Sequence, residues 1–397
     1  MTPIDRARNW LTTRWLAPDA GRPSSVHLSQ ALAAAMGVDL QVEPAARTLA
    51  DDLPTGRHLV FLLADGLGCA ILERLGEDSF LRCSLRRELR AVFPSATASA
   101  LTSLATGAWP KDHGVTGWWT HLPEHGITAT ALPFVERFED RPLGELGIGL
   151  DVFPVPALLP RYARRTLAVQ PQAIAHSSYS RYFLGDTPAL GYTGLEAGVE
   201  AVLEHVREST KPSFTYFYVP DVDHAGHAHG PRSPEVLERA RAIDAAARRL
   251  RDGLGPQGHL VLSADHGQIE VPPERKHVLT ARDPLLDFLA VPPYGEPRAP
   301  QFSVRPGSEA AFRRAFEARF GEEWALLSVD EVEALGLLGP GRLGATTRAR
   351  LGSFLALAAA EDVLLFRPGP DPEGVEGLRG YHGGLLPAEM RIPLVVA

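Results

Sequence analysis

The sequence predicts an α/β protein built on a central, mostly parallel sheet flanked by helices, with a small α+β segment inserted. Three observations point there. Short apolar runs at 58–65 (HLVFLLAD), 213–219 (SFTYFYV) and 259–263 (HLVLS) have the length and composition of buried strands. Each gives way at its C-terminal end to an aspartate-bearing loop, at Asp65, at Asp221 and Asp223, and at Asp265. The 37 Gly and 34 Pro residues are scattered between periodic segments and read as turns. In an open α/β sheet, ligands bind beyond the carboxyl ends of strands, so these loops are expected to line a site.

In chain order, residues 24–48 read as a helix with a lead-in. Ser24 and Ser25 offer caps, and Leu32, Ala33, Met36 and Leu40 keep an apolar stripe. The strand at 58–65 turns at Gly66-Leu67-Gly68 into a helix over about 69–75. A short strand is expected at 89–93, stopped by Pro94, and then a helix at 98–106 whose N-terminus lies among hydroxyls. Residues 234–250 form a long Arg/Ala-rich helix. From about 284 to 375 the pattern changes, with helical pieces in FSVRPGSEAAFRRAFEARFG and SVDEVEALGLLG and strand character at 361–366. The expected division is a catalytic domain of 1–283 and 376–397, with 284–375 as an inserted cap.

Composition narrows the function. The net charge is −8 and no basic block appears, which argues against sequence-independent nucleic-acid binding. Cys69 and Cys83 form no Cys-x-x-Cys pair and are expected to be idle thiols. The first twenty residues lack the apolar stretch of a signal peptide, and no run approaches the roughly 20 apolar residues that span a bilayer. A soluble cytoplasmic protein without a membrane partner is therefore expected; oligomeric state is not encoded in any motif.

Five separated segments carry the chemistry: 59–65 ending on Asp65, the hydroxyl-rich 93–107, Asp223-His224-Ala225-Gly226-His227, Ser263-Ala264-Asp265-His266-Gly267, and Tyr381-His382-Gly383-Gly384. Carboxylates and imidazoles are the O and N ligands that zinc prefers. A hydroxyl among them can be ionised by a cation and used as a nucleophile.

In this order the segments resemble the alkaline phosphatase superfamily, and most closely its nucleotide pyrophosphatase/phosphodiesterase branch. Ala64-Asp65-Gly66 matches the family's Asp-Gly at a strand end, and Phe93-Pro94-Ser95-Ala96-Thr97 matches F-P-T-x-T. Thr106 to Gly114 matches T-G-x-x-P-x-x-H-G, Asp223 to Pro231 matches D-x-x-G-H-x-x-G-P, and Asp265-His266-Gly267 and His382-Gly383 complete the set. The resemblance implies an alkaline phosphatase-like fold and two bound divalent cations, with zinc expected and manganese or iron as alternatives. Asp65, Thr97, Asp265 and His266 would hold one cation, and Asp223, His227 and His382 the other. Thr97 would be the nucleophile, and a phospho-threonine the intermediate in cleaving phosphodiester or pyrophosphate bonds of a small soluble substrate.

Plainer readings compete at several positions. A His-Gly step is usually a turn, and Asp112-His113-Gly114 is taken as structural. Asp221 is passed over because only Asp223 and His227 keep the i, i+4 spacing. Ser95 and Ser99 are rivals to Thr97, whereas Thr102, Ser103 and Thr106 read as locally satisfied helix hydroxyls. Gly66-Leu67-Gly68 lacks the third glycine of a dinucleotide loop. Trp118 occupies the slot where nucleotide diesterases of the family carry an Asn, so only a modest nucleotide preference is expected, with Trp119, Tyr179 or Tyr182 as candidates to stack a base. Neither cysteine begins a sulfatase signature. A phosphomonoesterase or phosphonate hydrolase with the same site is the alternative activity, and a metal- or nucleotide-binding protein without turnover is the alternative of another class.

Overall fold

A mostly apolar strand must be covered on both faces, and His58–Ala64 and Ser213–Val219 are buried along their whole lengths. They lie side by side in the computed structural model, which describes residues 1–19, 21–369 and 374–397. The seven-stranded sheet around them runs Leu85–Arg90, Arg391–Val396, Gly258–Ser263, His58–Ala64, Ser213–Val219, Arg165–Pro171, Ala189–Tyr192. Every pairing from Gly258–Ser263 to Ala189–Tyr192 is parallel, and Arg391–Val396 is antiparallel to both its neighbours. The expected mostly parallel sheet flanked by helices is what the chain forms.

Two sequence expectations shift by a few residues. The strand expected at 89–93 is Leu85–Arg90; its polar, partly exposed residues suit the edge of the sheet, while Ala91, Val92 and Phe93 are buried in the loop leading to Thr97. The helical reading of 24–48 divides into Ser25–Ala35 and Pro44–Ala50. Gly37 takes a positive φ of 86° after the first, and proline opens the second.

A second seven-stranded sheet runs Trp324–Ser328, Phe354–Ala358, Ala299–Phe302, Tyr294–Glu296, Trp119–Leu122, Ile127–Thr130, Val135–Glu136. Its far half carries its own core, in which Phe302, Trp324 and Phe354 meet Phe312, Phe316 and Phe320 of the helix Glu309–Phe320. The segment 284–375 therefore does not fold as a self-contained cap. Gly295 pairs with Trp119, so the meander at 119–136 completes the open edge that the hairpin of 294–302 would otherwise leave. Likewise Val363–Arg367 pairs in parallel with Lys276–Thr280, outside the expected bounds, and 370–373 lie outside the described residues. Sequence periodicity missed these pairings because each joins segments far apart in the chain.

Candidate metal centre

The three aspartate loops meet because their strands are neighbours. His58–Ala64 sits between Ser213–Val219 and Gly258–Ser263, with Ala64 level with Val219 and Leu63 level with Ser263. Asp65 follows the central strand at once, Asp265 follows the second after one residue, and the helix Asp221–His229 starts just past the third. Gly66 adopts a φ of +72°, and a Cβ there would come within 2.9 Å of the Asp223 backbone. Only glycine allows both the turn and that approach. The amide of Asp223 donates to the Asp65 carbonyl, and that of Gly66 to Asp265 Oδ1 at 3.0 Å, tying the three loops together. Thr97 opens the ten-residue helix Thr97–Thr106, and His382 follows the short strand Gly380–Tyr381, paired with Ile269–Glu270.

The seven residues named from the sequence come together, five of them in two overlapping groups, with Asp265 and Thr97 beside His266. Asp223, His227 and His382 offer ligand atoms within 4.8 Å of one another, and so do Asp65, Asp223 and His266. His266 Nε2 lies 3.3 Å from Asp265 Oδ2, 3.6 Å from Asp65 Oδ1 and 3.0 Å from Thr97 Oγ1. Asp223 bridges the groups, with Oδ2 3.3 Å from His227 Nε2 and Oδ1 3.8 Å from His382 Nε2.

The donor set fits cations. Each imidazole donates its Nδ1–H to a backbone carbonyl, His227 to Gly380, His266 to Gly267 and His382 to Ser95, at 2.8, 3.1 and 3.1 Å. That fixes the tautomer and turns each Nε2 inward, as in metal-binding histidines. His227 Nε2 and His382 Nε2 then face one another at 3.2 Å, two lone pairs that need a proton or a cation between them. Asp65 Oδ1 and Asp265 Oδ2 are buried and accept no hydrogen bond among the described residues. Buried carboxylate oxygens left bare in this way are costly unless a cation serves them.

Electrostatics tell the same story. Burial, and then the neighbouring Asp265 and Asp223 carboxylates, push Asp65 well above the usual carboxylate range. Burial also raises Asp265. Burial works against charge on Asp223 as well, but His227 and His382 outweigh it and hold that carboxylate low. Burial opposes charge on His227, yet Asp223 lifts it to about 9, whereas burial and His266 keep His382 well below the usual value. The shifts split the pocket: Asp65, Asp265 and His227 are pushed toward their protonated forms, and Asp223 and His382 toward their unprotonated ones.

The plainer readings are accounted for too. Ser95 Oγ donates to the Gly384 carbonyl and Ser99 Oγ to the Val115 carbonyl, which leaves Thr97 as the hydroxyl facing the donors. Thr102 and Thr106 bond back to carbonyls four residues earlier in their own helix. His113 is fully buried between Ser103 Oγ and the Val115 amide, in a structural role. Tyr179 and Tyr182 pack against Phe153, away from the centre.

A cavity of about 280 Å³ opens over the centre, walled by Trp118, Trp119, Glu296, Pro297, Leu378 and Tyr381, with Thr97 and His382 at its floor. None of its lining residues is Arg or Lys. Glu296 was not singled out by the sequence. It is buried, accepts the Trp118 amide, and burial pushes it up to about 8. A larger cleft of about 620 Å³ lies on the other side of Gln268, but its Arg74 is committed to backbone carbonyls and its Arg275 to Asp362.

A parallel α/β sheet with paired carboxylate–imidazole clusters and a helix-opening hydroxyl at its carboxyl edge defines the alkaline phosphatase-like class. Residues 59–130 and 160–293 match the model of the type I phosphodiesterase / nucleotide pyrophosphatase family, and the chain belongs to that family. It is 28% identical over 190 residues to ectonucleotide pyrophosphatase/phosphodiesterase family member 1 of Rattus norvegicus, covering 46% of this chain and 20% of the relative. With venom phosphodiesterase 2 of Crotalus adamanteus it shares 23% over 231 residues, covering 50% of this chain and 25% of the relative. These matches span only about a fifth to a quarter of the curated relatives. Among solved structures, human ectonucleotide pyrophosphatase/phosphodiesterase 5 superposes with a TM-score of 0.64 at 17% identity, covering 85% of this chain and 87% of that one. Phosphonoacetate hydrolase from Sinorhizobium meliloti 1021, in complex with phosphonoformate, gives 0.61 at 17%, covering 87% and 91%. At such identities the likeness is one of fold.

Proposed function

We propose that this chain is a metal-dependent hydrolase that cleaves phosphodiester or pyrophosphate bonds of a small substrate through Thr97. The observation that carries the reading is the convergence of Thr97 Oγ1 with two donor clusters at the floor of one cavity. Asp65, Asp265, His266 and Thr97 would hold one cation and Asp223, His227 and His382 the other, zinc suiting this mixture of oxygen and nitrogen donors. Bound there, divalent cations supply Lewis acidity toward phosphoryl oxygens and lower the pKa of a coordinated hydroxyl.

The chain's own residues do the rest. Thr97 Oγ attacks phosphorus while the bond to the leaving oxygen breaks, giving a phospho-threonine; water then attacks that phosphorus, releasing the product phosphate ester and restoring the hydroxyl. The backbone N–H groups that open the helix Thr97–Thr106 would stabilise the developing charge on the phosphoryl oxygens. The wall favours a diester over a monoester, because no guanidinium stands in the cavity to grip a dianion in forked geometry. Nucleotide preference is modest, since Trp118 stands in the place of an amide and its indole offers only a single N–H donor.

The test compares bis(p-nitrophenyl) phosphate, p-nitrophenyl phosphate and a nucleotide p-nitrophenyl ester, with zinc and then manganese. A kcat/KM for the diester above that for the monoester supports the reading. A ratio well below one assigns the site to monoesters or phosphonates instead, and no turnover of any ester with both cations bound makes the chain a binding protein.

A further inference from the structure

Gln268 was not among the residues picked out by motif, yet it touches Asp223 twice. It is 3% exposed, and its Nε2 donates both to the Asp223 carbonyl, at 3.1 Å, and to Asp223 Oδ1. Both partners are acceptors, so the amide's donor end must face them. Its Oε1 is buried and accepts nothing among the described residues. Two glycines make room for it. A Cβ on Gly226 would lie 1.7 Å from Gln268 Oε1, and one on Gly380 would lie 2.9 Å from it.

We infer that Gln268 is a positioning residue for the cation held by Asp223, His227 and His382. The inference rests on the two-cation reading above. By gripping the carbonyl and the carboxylate of the same residue, the amide locks the Asp223 side chain against its own backbone. Oδ2 is thereby kept 3.3 Å from His227 Nε2, on the side where the donor atoms converge. A neutral donor suits this task, because a guanidinium or ammonium in its place would cancel the negative charge a cation needs. The glycine between Asp223 and His227 gains a reason as well: a side chain there would fill the seat of the amide. Groups that orient metal ligands from behind are typically worth about 10- to 100-fold in affinity.

The experiment titrates the metal-free protein with zinc against a chromophoric chelator, resolving the two binding events. His382→Asn identifies the event that belongs to its cluster. Gln268→Met, similar in volume but without a donor, is expected to weaken that event about 10- to 100-fold and the other by less than about threefold. Gly226→Ala approaches the same question without touching Gln268. It pushes aside only the far end of a flexible side chain, and within the helix Asp221–His229 alanine is favoured over glycine. It should give the same one-sided loss, and the double variant should lose little more than either single one. Unchanged affinities, or equal loss at both events, overturns the inference. A wild-type protein that shows fewer than two binding events overturns the two-cation reading instead.

Discussion

The two sheets divide the labour of this molecule unequally. The first carries Asp65, Asp223 and Asp265 beyond three adjacent parallel strands, where buried strands end and polar side chains can gather. The second contributes no residue to the two donor groups; its part is the wall, with Trp118 leading into it and Trp119, Glu296 and Pro297 facing the cavity. Chemistry that needs a fixed array of donors sits on the rigid parallel edge. The wall of the cavity falls to a sheet assembled from two distant stretches of chain. The two are bolted together at Arg298, whose guanidinium pairs with Glu389 at 2.9 Å with both side chains fully buried. Glu389 also accepts the amides of Gly384 and Leu386, just past His382.

The division breaks first at Thr97. Thr97→Ala is expected to lower kcat by a factor on the order of 10³ or more while the fold and most cation binding persist, because the attacking oxygen is lost but Asp65, Asp265 and His266 remain. Near-normal turnover, with the loss appearing in Ser95→Ala or Ser99→Ala, would move the nucleophile. Next in size is the bolt. Arg298→Met leaves a buried carboxylate without its counter-charge and should cost about 3 kcal/mol of stability. Denaturant unfolding that shows no change would mean that the sheets do not depend on this pair.

Acidity sharpens the comparison further, since it should register at the first sheet. Asp223 lifts His227 to about 9 and burial shifts Asp65 and Asp265 in the same upward direction, so a cation must displace at least the His227 proton of the metal-free fold. Every one of these shifts is upward. Metal affinity should therefore climb with pH, by about tenfold per unit for each proton displaced, and flatten above about pH 9. Chelator competition across that range checks it, and affinity that stays level from about pH 6 to 9 breaks the account. The smallest effect belongs to the second sheet. Glu296→Gln should change the diester-to-monoester ratio of kcat/KM by about three- to tenfold and leave metal affinity within about threefold. A variant that instead loses a cation would place Glu296 among the ligands and erase the distinction between the sheets.

Much of the first sheet was legible because its signals are local. A run such as Leu59–Ala64 is apolar throughout since it is covered on both faces, and the carboxylate at its end belongs to the edge of the sheet. The i, i+4 spacing of Asp223 and His227 fixes them on one helical face, and the structure keeps them 3.3 Å apart. The wall was not legible. Trp119–Leu122 and Tyr294–Glu296 are short strands whose pairing depends on partners elsewhere in the chain, so the expected cap of 284–375 was drawn without three of the seven strands of its sheet.

By itself the sequence determined which atoms are available for chemistry: three carboxylates, three imidazoles and one hydroxyl, each set by motif and by its place at the end of a strand or the start of a helix. Tertiary structure alone decided what surrounds them. Glu296 meets the Trp118 amide across 178 residues of sequence, and Gln268 reaches Asp223 across 45. Such contacts leave no periodic trace, because a buried polar group is placed by whichever distant partner satisfies it.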